Sequence, residues 1–420
     1  MGLPLIFWNL LPAFFSFHFH MSEKFVIIST PSELARWCSE HTGTEWIGLD
    51  TEFIAERYYQ PHLCLIQAAT PKGNFLIDPI QNQLDVSPFW NLLVLGEHET
   101  IVHSGRFEME FCWRSTGRFP KNIFDTQVAA GLVSNDYPAG YGNIVSNFLN
   151  IQMPGTESRT NWKSRPLTAR QLEYAVDDIA YLHPVREVLH TQMKERDRLG
   201  WFASEMQERL ENILHLLSPE RWQRILTGTH WTQRELAIVY ALWSWRESIA
   251  QKRDCSVRHV LRDDLVLEMA RRKTSDVRSI RNIRGMERGD LRPYLEEISS
   301  LIETAVHLDE KDCPRVEFPH HCAKLSVLGT LLYSILGTIC HQHDLAPGLV
   351  GTQTDVRDWA AWRLQTPGYT ETRPRLASGW RAEIVGDIFD ALLSGEKMIR
   401  IAHPTENYPI EFVSVKGRKK

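Results

Sequence analysis

What most limits the fold of this chain is a change of rhythm near residue 189. From residue 24 to that point, short apolar runs of strand length alternate with segments whose apolar residues recur at helical spacing. Beyond it the strand pattern stops and only the helical spacing continues. Residues 25–29 read as a strand. Thr30-Pro31-Ser32-Glu33 forms a capping box with proline at the first helical position, opening a helix through Trp37. Residues 46–50, 63–69 and 74–78 are further predicted strands, followed by a helix near residues 89–95 and a strand that ends at His103. Strands that cluster first, with helices interleaved later, predict a mixed α/β sheet domain. A chain of 420 residues has room for about two to four domains and a sizeable core.

Residues 190–306 are predicted to be helical and hold a locally basic stretch. Between Lys252 and Arg292 twelve residues are basic and seven acidic, in a chain whose formal net charge is −5. The chain as a whole is therefore not a basic nucleic-acid binder, and any phosphate-binding surface has to be local. A solvated helical face explains the same charges. Residues 307–320 read as a linker and 323–401 as another helical block. Residues 254–264 and 344–354 occupy similar places in the two blocks, which suggests a diverged repeat. The basic end, Lys416, Arg418, Lys419 and Lys420, is expected to be disordered. The seven cysteines lack paired spacing, which fits a reducing compartment, and the cytoplasm is the expected location.

The first 20 residues are apolar and aromatic, with no basic start and no small-residue cleavage site, so they make a poor signal peptide. Pro12 and the histidines interrupt the run, which is short for a membrane span. Met21 is the expected natural start and 1–20 an upstream extension, with a membrane anchor as the alternative. No longer apolar run follows, and no stable membrane association is expected.

The strongest local signal is IGLDTEF, residues 47–53. Strand periodicity of two aims Asp50 and Glu52 at the same side. Two carboxylates held together repel unless a cation or proton lies between them, and hard divalent ions such as Mg²⁺ prefer such oxygen ligands. A strand end whose carboxylates merely face water is the plainer reading. In residues 167–182, Thr168 and Gln171 form a capping box, while Leu172, Ala175, Val176, Ile179 and Leu182 share one apolar stripe. Tyr174 and Asp178, four apart, are neighbours off that stripe, with Asp177 turned away. This pair is either a surface hydrogen bond or a metal ligand beside a phenol that orients water. In the helix of VHSGRFEMEF (102–111), Glu108 falls between Phe111 and Cys112 on the apolar side. Glu110 falls beside Arg114, its i+4 partner, and is expected to be exposed. Asp50, Glu52, Glu108 and Asp178 with Tyr174 can thus converge on a two-metal site for phosphoryl displacement.

With these residues in hand, the sequence resembles the ribonuclease D family of the DEDD exonuclease superfamily. The likeness lies in GLDTEF with RYYQPHLCLIQ (57–67), VHSGRFEMEF, FDTQVAAGL (124–132) and ESRTNWKSRPLTARQLEYAVDDIAYL (157–182). Tyr174-x-x-x-Asp178 has the spacing of the tyrosine subclass, and residues 234–285 resemble an HRDC domain. The resemblance implies an α/β ribonuclease H-like exonuclease domain followed by two all-α HRDC-type helical domains. On that plan 1–20 is an upstream extension, 21–200 the 3′–5′ exonuclease domain, 215–306 the HRDC domain and 307–322 a linker. A second HRDC-like domain spans 323–405 and a basic tail 406–420. The resemblance further implies a 3′–5′ exoribonuclease holding two divalent ions, Mg²⁺ or Mn²⁺, on Asp50, Glu52, Glu108 and Asp178, with Tyr174 positioning the attacking water. Its substrate would be RNA with a free 3′ end, tRNA precursors above all. Asp125 matches a family aspartate read as structural. Two departures stand out: Glu108 occupies a place where the family usually has Asp, and Ala55 a place where it has Arg.

Nucleic-acid contacts are expected from His103, Arg57, Arg165, Arg271, Arg272 and Lys273. The competing readings are an RNA-binding or scaffold protein whose nuclease site is weakened at Glu108, and a DNA 3′–5′ exonuclease of the same superfamily. A helicase is excluded by the lack of a G-x-x-x-x-G-K-[ST] loop. His320-His321-Cys322 and Cys340-His341-x-His343 match no standard zinc spacing, and Trp243 and Trp245 are read as packing residues before base-stacking ones.

Overall fold

The computed structural model describes residues 25–155, 160–228, 231–316, 325–366, 373–402 and 404–415. The upstream segment 1–20, His320-His321-Cys322 and the basic end 416–420 lie outside the described residues. In chain order the first half runs β1 (Phe25–Ile28), α1 (Pro31–His41), β2 (Trp46–Ile54), β3 (His62–Thr70), β4 (Gly73–Ile77), α2 (Ser87–Leu95), β5 (Glu99–Val102), α3 (Arg106–Thr116), β6 (Asn122–Asp125), α4 (Thr126–Gly131), α5 (Tyr141–Leu149), α6 (Ala169–Ala180), α7 (Leu182–Glu195) and α8 (Leu199–Leu217). The strands form one sheet in the order β1-β4-β3-β2-β5-β6, antiparallel at β2–β3 and β3–β4 and parallel at β1–β4, β2–β5 and β5–β6. This is the mixed α/β domain the sequence predicts. Both capping boxes form, at Thr30/Glu33 and Thr168/Gln171.

Strand β2 does not end at its carboxylates. It continues to Ile54, with a shift of register between Glu52 and Phe53 where it pairs with β3. Such a bulge re-aims side chains locally. The two faces of β2 are covered by different helices. Gly48 lies so close to α7 that a Cβ there would stand 3.3 Å from Leu182 Cδ1. The face carrying Gly48, Asp50 and Glu52 therefore looks toward α6 and α7. Ile47 and Leu49, on the other face, pack in one core with Met109 and Cys112 of α3.

The second half is helical: α9 (Gln233–Lys252), α10 (Val257–Val260), α11 (Asp263–Arg272), α12 (Val277–Arg281), α13 (Leu295–His307), α14 (Ser326–Gln342), α15 (Pro347–Val350), α16 (Gln353–Arg363), α17 (Gly379–Arg381) and α18 (Asp387–Leu393). The weak internal repeat is visible here. Asp254 follows α9 and Asp344 follows α14, both with positive φ, and each chain then enters a four-residue helix. Cys255 N–H bonds the Ala250 carbonyl, and Leu345 N–H bonds the Cys340 carbonyl, in the same geometry. Trp243 and Trp245 are buried within this first helical block.

Three features differ from the sequence reading. A hairpin of β7 (Lys397–Ile401) and β8 (Ile410–Ser414) closes the second block, so part of the expected tail is a strand. That second block shares one continuous apolar core with α4, α5 and α7 rather than standing apart. Glu110 makes its pair with Arg114 at 2.8 Å but is buried, because α3 is packed against both α2 and α8. The first helical block meets the sheet domain at the β2–β3 loop. There Tyr59 Oη donates to Glu247 at 2.9 Å, and Ser256 N–H donates to the Arg57 carbonyl at 3.3 Å.

Candidate active site: a cleft of buried carboxylates

Each acidic side chain is brought to the site by a different local device. Asp50 and Glu52 come from alternate positions of β2, the strand flanked by β3 and β5. Asp178 and Tyr174 come from one turn of α6, whose apolar stripe of Ala175, Val176 and Ile179 is buried against the sheet. The Tyr174 hydroxyl is hydrogen-bonded to Asp178. Glu108 comes from the first turn of α3, and the turn before it is held by Asp125. Oδ1 of Asp125 accepts from Ser104 N–H at 3.0 Å and Oδ2 from Gly105 N–H at 3.1 Å. Asp125 also caps α4 by accepting from Gln127 N–H at 2.9 Å. Ser104 sits at φ 56, a conformation side-chain-bearing residues rarely adopt, and the bonds to Asp125 hold it there. The reading of Asp125 as structural agrees with this geometry.

A cavity of about 190 Å³ opens beside these groups, lined by Leu49, Asp50, His103, Tyr141, Tyr174, Asp178 and Leu182. Glu52 and Glu108 are more deeply buried, at 9% and 5% exposure. Burial and mutual repulsion dominate the electrostatics. Asp50 is held well above the usual carboxylate range by burial first, then by the charges of Asp178, Glu108 and Glu52. Glu52 is pushed up to about 9 by burial, then by Asp178 and Glu108. Asp178 is pushed up to about 7 by burial, against the lowering hydrogen bond from Tyr174. Burial raises the Tyr174 phenol first, with Asp178 adding to it, so the phenol stays protonated. Among the described residues no lysine or arginine pairs with any of the four carboxylates.

Glu108 is the exception in its orientation. The Thr51 hydroxyl donates to its Oε1 at 2.5 Å, from the face of β2 opposite to Asp50. Burial pushes Glu108 up to about 7, and the Thr51 bond opposes that shift. Among the described residues no three acidic, histidine or cysteine side chains stand as a ready-made ion cage. Four buried oxygen-donor groups without a cationic partner nonetheless fit hard divalent ions by their chemistry.

The expected nucleic-acid residues fare differently. His103 lines the cavity, but its Nδ1 is bonded to Thr126 Oγ1 at 2.9 Å and its Nε2 to the Ala139 carbonyl at 3.1 Å. Both ring nitrogens are thus committed to the protein, and His103 serves as wall. Arg165 is committed to the protein in the same way. Its guanidinium is spent on Asp78 at 2.5 and 2.7 Å and on the carbonyls of Cys64, Trp162 and Ser164. Arg271 and Lys273 both pair with Glu235, Arg271 also covering the Trp231 ring, and Arg272 pairs with Glu268. Arg57 is exposed on the β2–β3 loop and does not line the cleft. Tyr141 lines the cleft and had no motif to announce it. Its hydroxyl accepts from Tyr181 N–H at 3.1 Å, which ties α5 to the end of α6.

Comparison with known proteins follows this outline. Residues 25–194 match the family profile of 3′–5′ exonucleases, and residues 235–302 match that of HRDC domains. The class these define is a 3′–5′ exonuclease joined to an HRDC domain. A ribonuclease D of Zymomonas mobilis is 30% identical over 378 residues, covering 88% of this chain and 94% of that protein. One from Nitrobacter hamburgensis is 29% identical over 377 residues, covering 89% and 97%. The crystal structure of Escherichia coli RNase D, an exoribonuclease involved in structured RNA processing, superposes with a TM-score of 0.75 at 26% identity, covering 89% of this chain and 99% of that one. The chain belongs to the ribonuclease D family. That family implies divalent metal ions. Among the described residues no helix is long and apolar enough to cross a membrane.

Proposed function

We propose that this protein removes nucleotides from RNA 3′ ends by metal-dependent hydrolysis, with tRNA precursors as the substrate class. The observation that carries the reading is the cleft itself: four carboxylates from β2, α3 and α6 are buried together, and among the described residues no cationic side chain pairs with them. Buried carboxylates with no cationic partner repel one another and take up protons, and a divalent ion that enters can take the place of those protons. Asp50, Glu52, Glu108 and Asp178 would hold two divalent ions, Mg²⁺ or Mn²⁺. Bound there, such ions supply Lewis-acid activation of water and charge neutralisation at the scissile phosphate.

The chain's own residues do the rest. Tyr174 remains protonated and donates to Asp178, which leaves its phenolic oxygen free to accept from a water at the cavity wall. Asp178 is fixed by the same bond. Leu49 and Leu182 line the cavity with apolar surface and limit bulk water, so the charges act in a low dielectric. Asp125 sets the start of α3 and hence the place of Glu108.

One observation favours a second reading. Glu108 is one methylene longer than the family's aspartate and is bonded to Thr51 on the far face. If that bond persists when ions are present, the protein is an RNA-binding protein with a weakened nuclease site. The test uses 3′-extended tRNA and a 3′-labelled DNA strand in Mg²⁺ or Mn²⁺, with wild type, Asp50→Asn and Glu108→Asp. Release from RNA by wild type and its loss in Asp50→Asn is the expected result. Release only in Glu108→Asp marks the natural site as weakened, and equal digestion by Asp50→Asn sinks the metal reading. Preferential digestion of the DNA strand makes the protein a DNA exonuclease.

A further inference from the structure

Gln67 lies at the middle of β3 and is fully buried, at 0% exposure. Among the described residues neither its carboxamide oxygen nor its carboxamide nitrogen has a hydrogen-bond partner. Leaving such a group unmet is costly, and buried polar side chains are nearly always satisfied. The register says what lies beside it. Gln67 pairs directly with Asp50 on one side and with Leu76 on the other. Directly opposed residues of an antiparallel pair point to the same face, with Cβ atoms about 4.5–5.5 Å apart. Above that face, α6 presents the apolar side chains of Ala175 and Val176. Asp50 is therefore the one polar side chain directly across a strand from Gln67, and it stands at the rim of the carboxylate cleft.

We infer that Gln67 is a positioning residue for Asp50: unpartnered in the metal-free protein, its Nε2 would donate to the Asp50 carboxylate when a divalent ion is bound and fix the direction in which that carboxylate offers its other oxygen to the ion. This rests on the reading of Asp50 as a metal ligand. A carboxamide suits the task better than a cation would. It orients an anion without neutralising it, so the cluster keeps the negative charge that attracts metal. Outer partners of ligating carboxylates commonly govern metal affinity in this way.

The inference has a signature that a structural role lacks. Gln67→Met keeps length and approximate volume and removes only the polar atoms. With metal chelated, its melting temperature should equal or exceed that of wild type, since an unmet buried amide is lost. Its Mn²⁺ affinity, read by calorimetry or by the electron paramagnetic resonance of free Mn²⁺, should fall by about 10–100-fold. RNA hydrolysis at saturating substrate should fall with it, while KM for RNA holds. Gln67→Leu should repeat the pattern. If Asp50→Asn loses Mn²⁺ binding but Gln67→Met binds as wild type does, the role assigned to Gln67 is wrong. Gln67→Met and Gln67→Leu both melting well below wild type would overturn it too, by making the residue a packing element. If Asp50→Asn itself binds Mn²⁺ normally, the metal reading of the cleft fails instead.

Discussion

Two buried acidic sites among the described residues are built on opposite plans. In one, Glu205 of α8 is 1% exposed and meets the Arg381 guanidinium at 2.5 Å, the Trp380 indole N–H at 3.1 Å and Arg375 at 3.4 Å. Arg381 also donates to the carbonyls of Val350 and Leu349. Every charge there is answered, and the cluster fastens the second helical block to α8. In the other, Asp50, Glu52, Glu108 and Asp178 lie together, and among the described residues no cation pairs with them. The difference teaches how to tell a fastening from a site. A completed network stabilises the fold that contains it, whereas an incomplete one strains the fold and waits for a ligand.

Mutating one acid in each cluster should therefore have opposite consequences. Asp50→Asn is expected to lower RNA hydrolysis on the order of 10⁴-fold, about 5 kcal/mol at the transition state. Its melting temperature in chelator should stay level or rise, because one repelling charge has gone. Glu205→Ala should leave the chemistry of the cleft in place but destabilise the protein by about 2–4 kcal/mol, because it leaves Arg381 only Glu208 at 3.5 Å as an acidic partner. Denaturant unfolding beside an exonuclease assay reads both. An Asp50→Asn variant that unfolds as easily as Glu205→Ala would erase the distinction.

A pH titration sharpens the contrast. Glu52 is pushed up to about 9 and Asp178 to about 7, both above their ordinary values near 4 to 4.5. A carboxyl whose folded pKa is raised binds its proton more tightly in the folded state. The folded state then holds more protons than the unfolded one between the two pKa values, and stability falls as pH rises through that window. In chelator, the melting temperature should fall from about pH 5 to about pH 9, and Mg²⁺ should flatten the fall. Glu52→Gln should flatten it without metal. A melting temperature that rises steadily over this range in chelator would show that the cleft is not under electrostatic strain.

The two clusters also differ in how visible they are in the sequence. Asp50 and Glu52 declare themselves through strand periodicity, and Tyr174 with Asp178 through one helical turn, because in each case a single element sets the geometry. The apolar position of Glu108 follows from the same reasoning. What stays hidden depends on chain far away. Arg165 reads as a free cation until Asp78, 87 positions earlier, turns out to hold it. Glu110 reads as exposed until α8 packs over its helix. The partners of Glu205 lie 170 and more positions on, so no local pattern points to that cluster. The hairpin of β7 and β8 was missed because five-residue strands with mostly unburied side chains leave little apolar alternation to read.

The smallest expected effect tests the one contact that reaches across the strand from the incomplete cluster. Thr51→Val removes the hydroxyl that donates to Glu108 and keeps the β-branched shape. Losing a hydrogen bond to a buried carboxylate costs about 1.5–3 kcal/mol of stability when the carboxylate is charged. Near pH 7 Glu108 is only about half charged in the metal-free protein, so the loss should be about 1 kcal/mol there. Activity separates two roles for the bond. If Thr51 withholds Glu108 from the cleft, Thr51→Val frees the carboxylate to turn toward Asp50, and Mn²⁺ affinity and hydrolysis rise severalfold. If Thr51 supports a Glu108 that already reaches the ions through its second oxygen, both fall. The extra methylene of glutamate favours the second outcome, because it lets Oε1 rest on Thr51 while Oε2 points elsewhere. Glu108→Asp in the Thr51→Val background decides it: a shorter carboxylate that needs no hydroxyl support should make the double variant insensitive to residue 51.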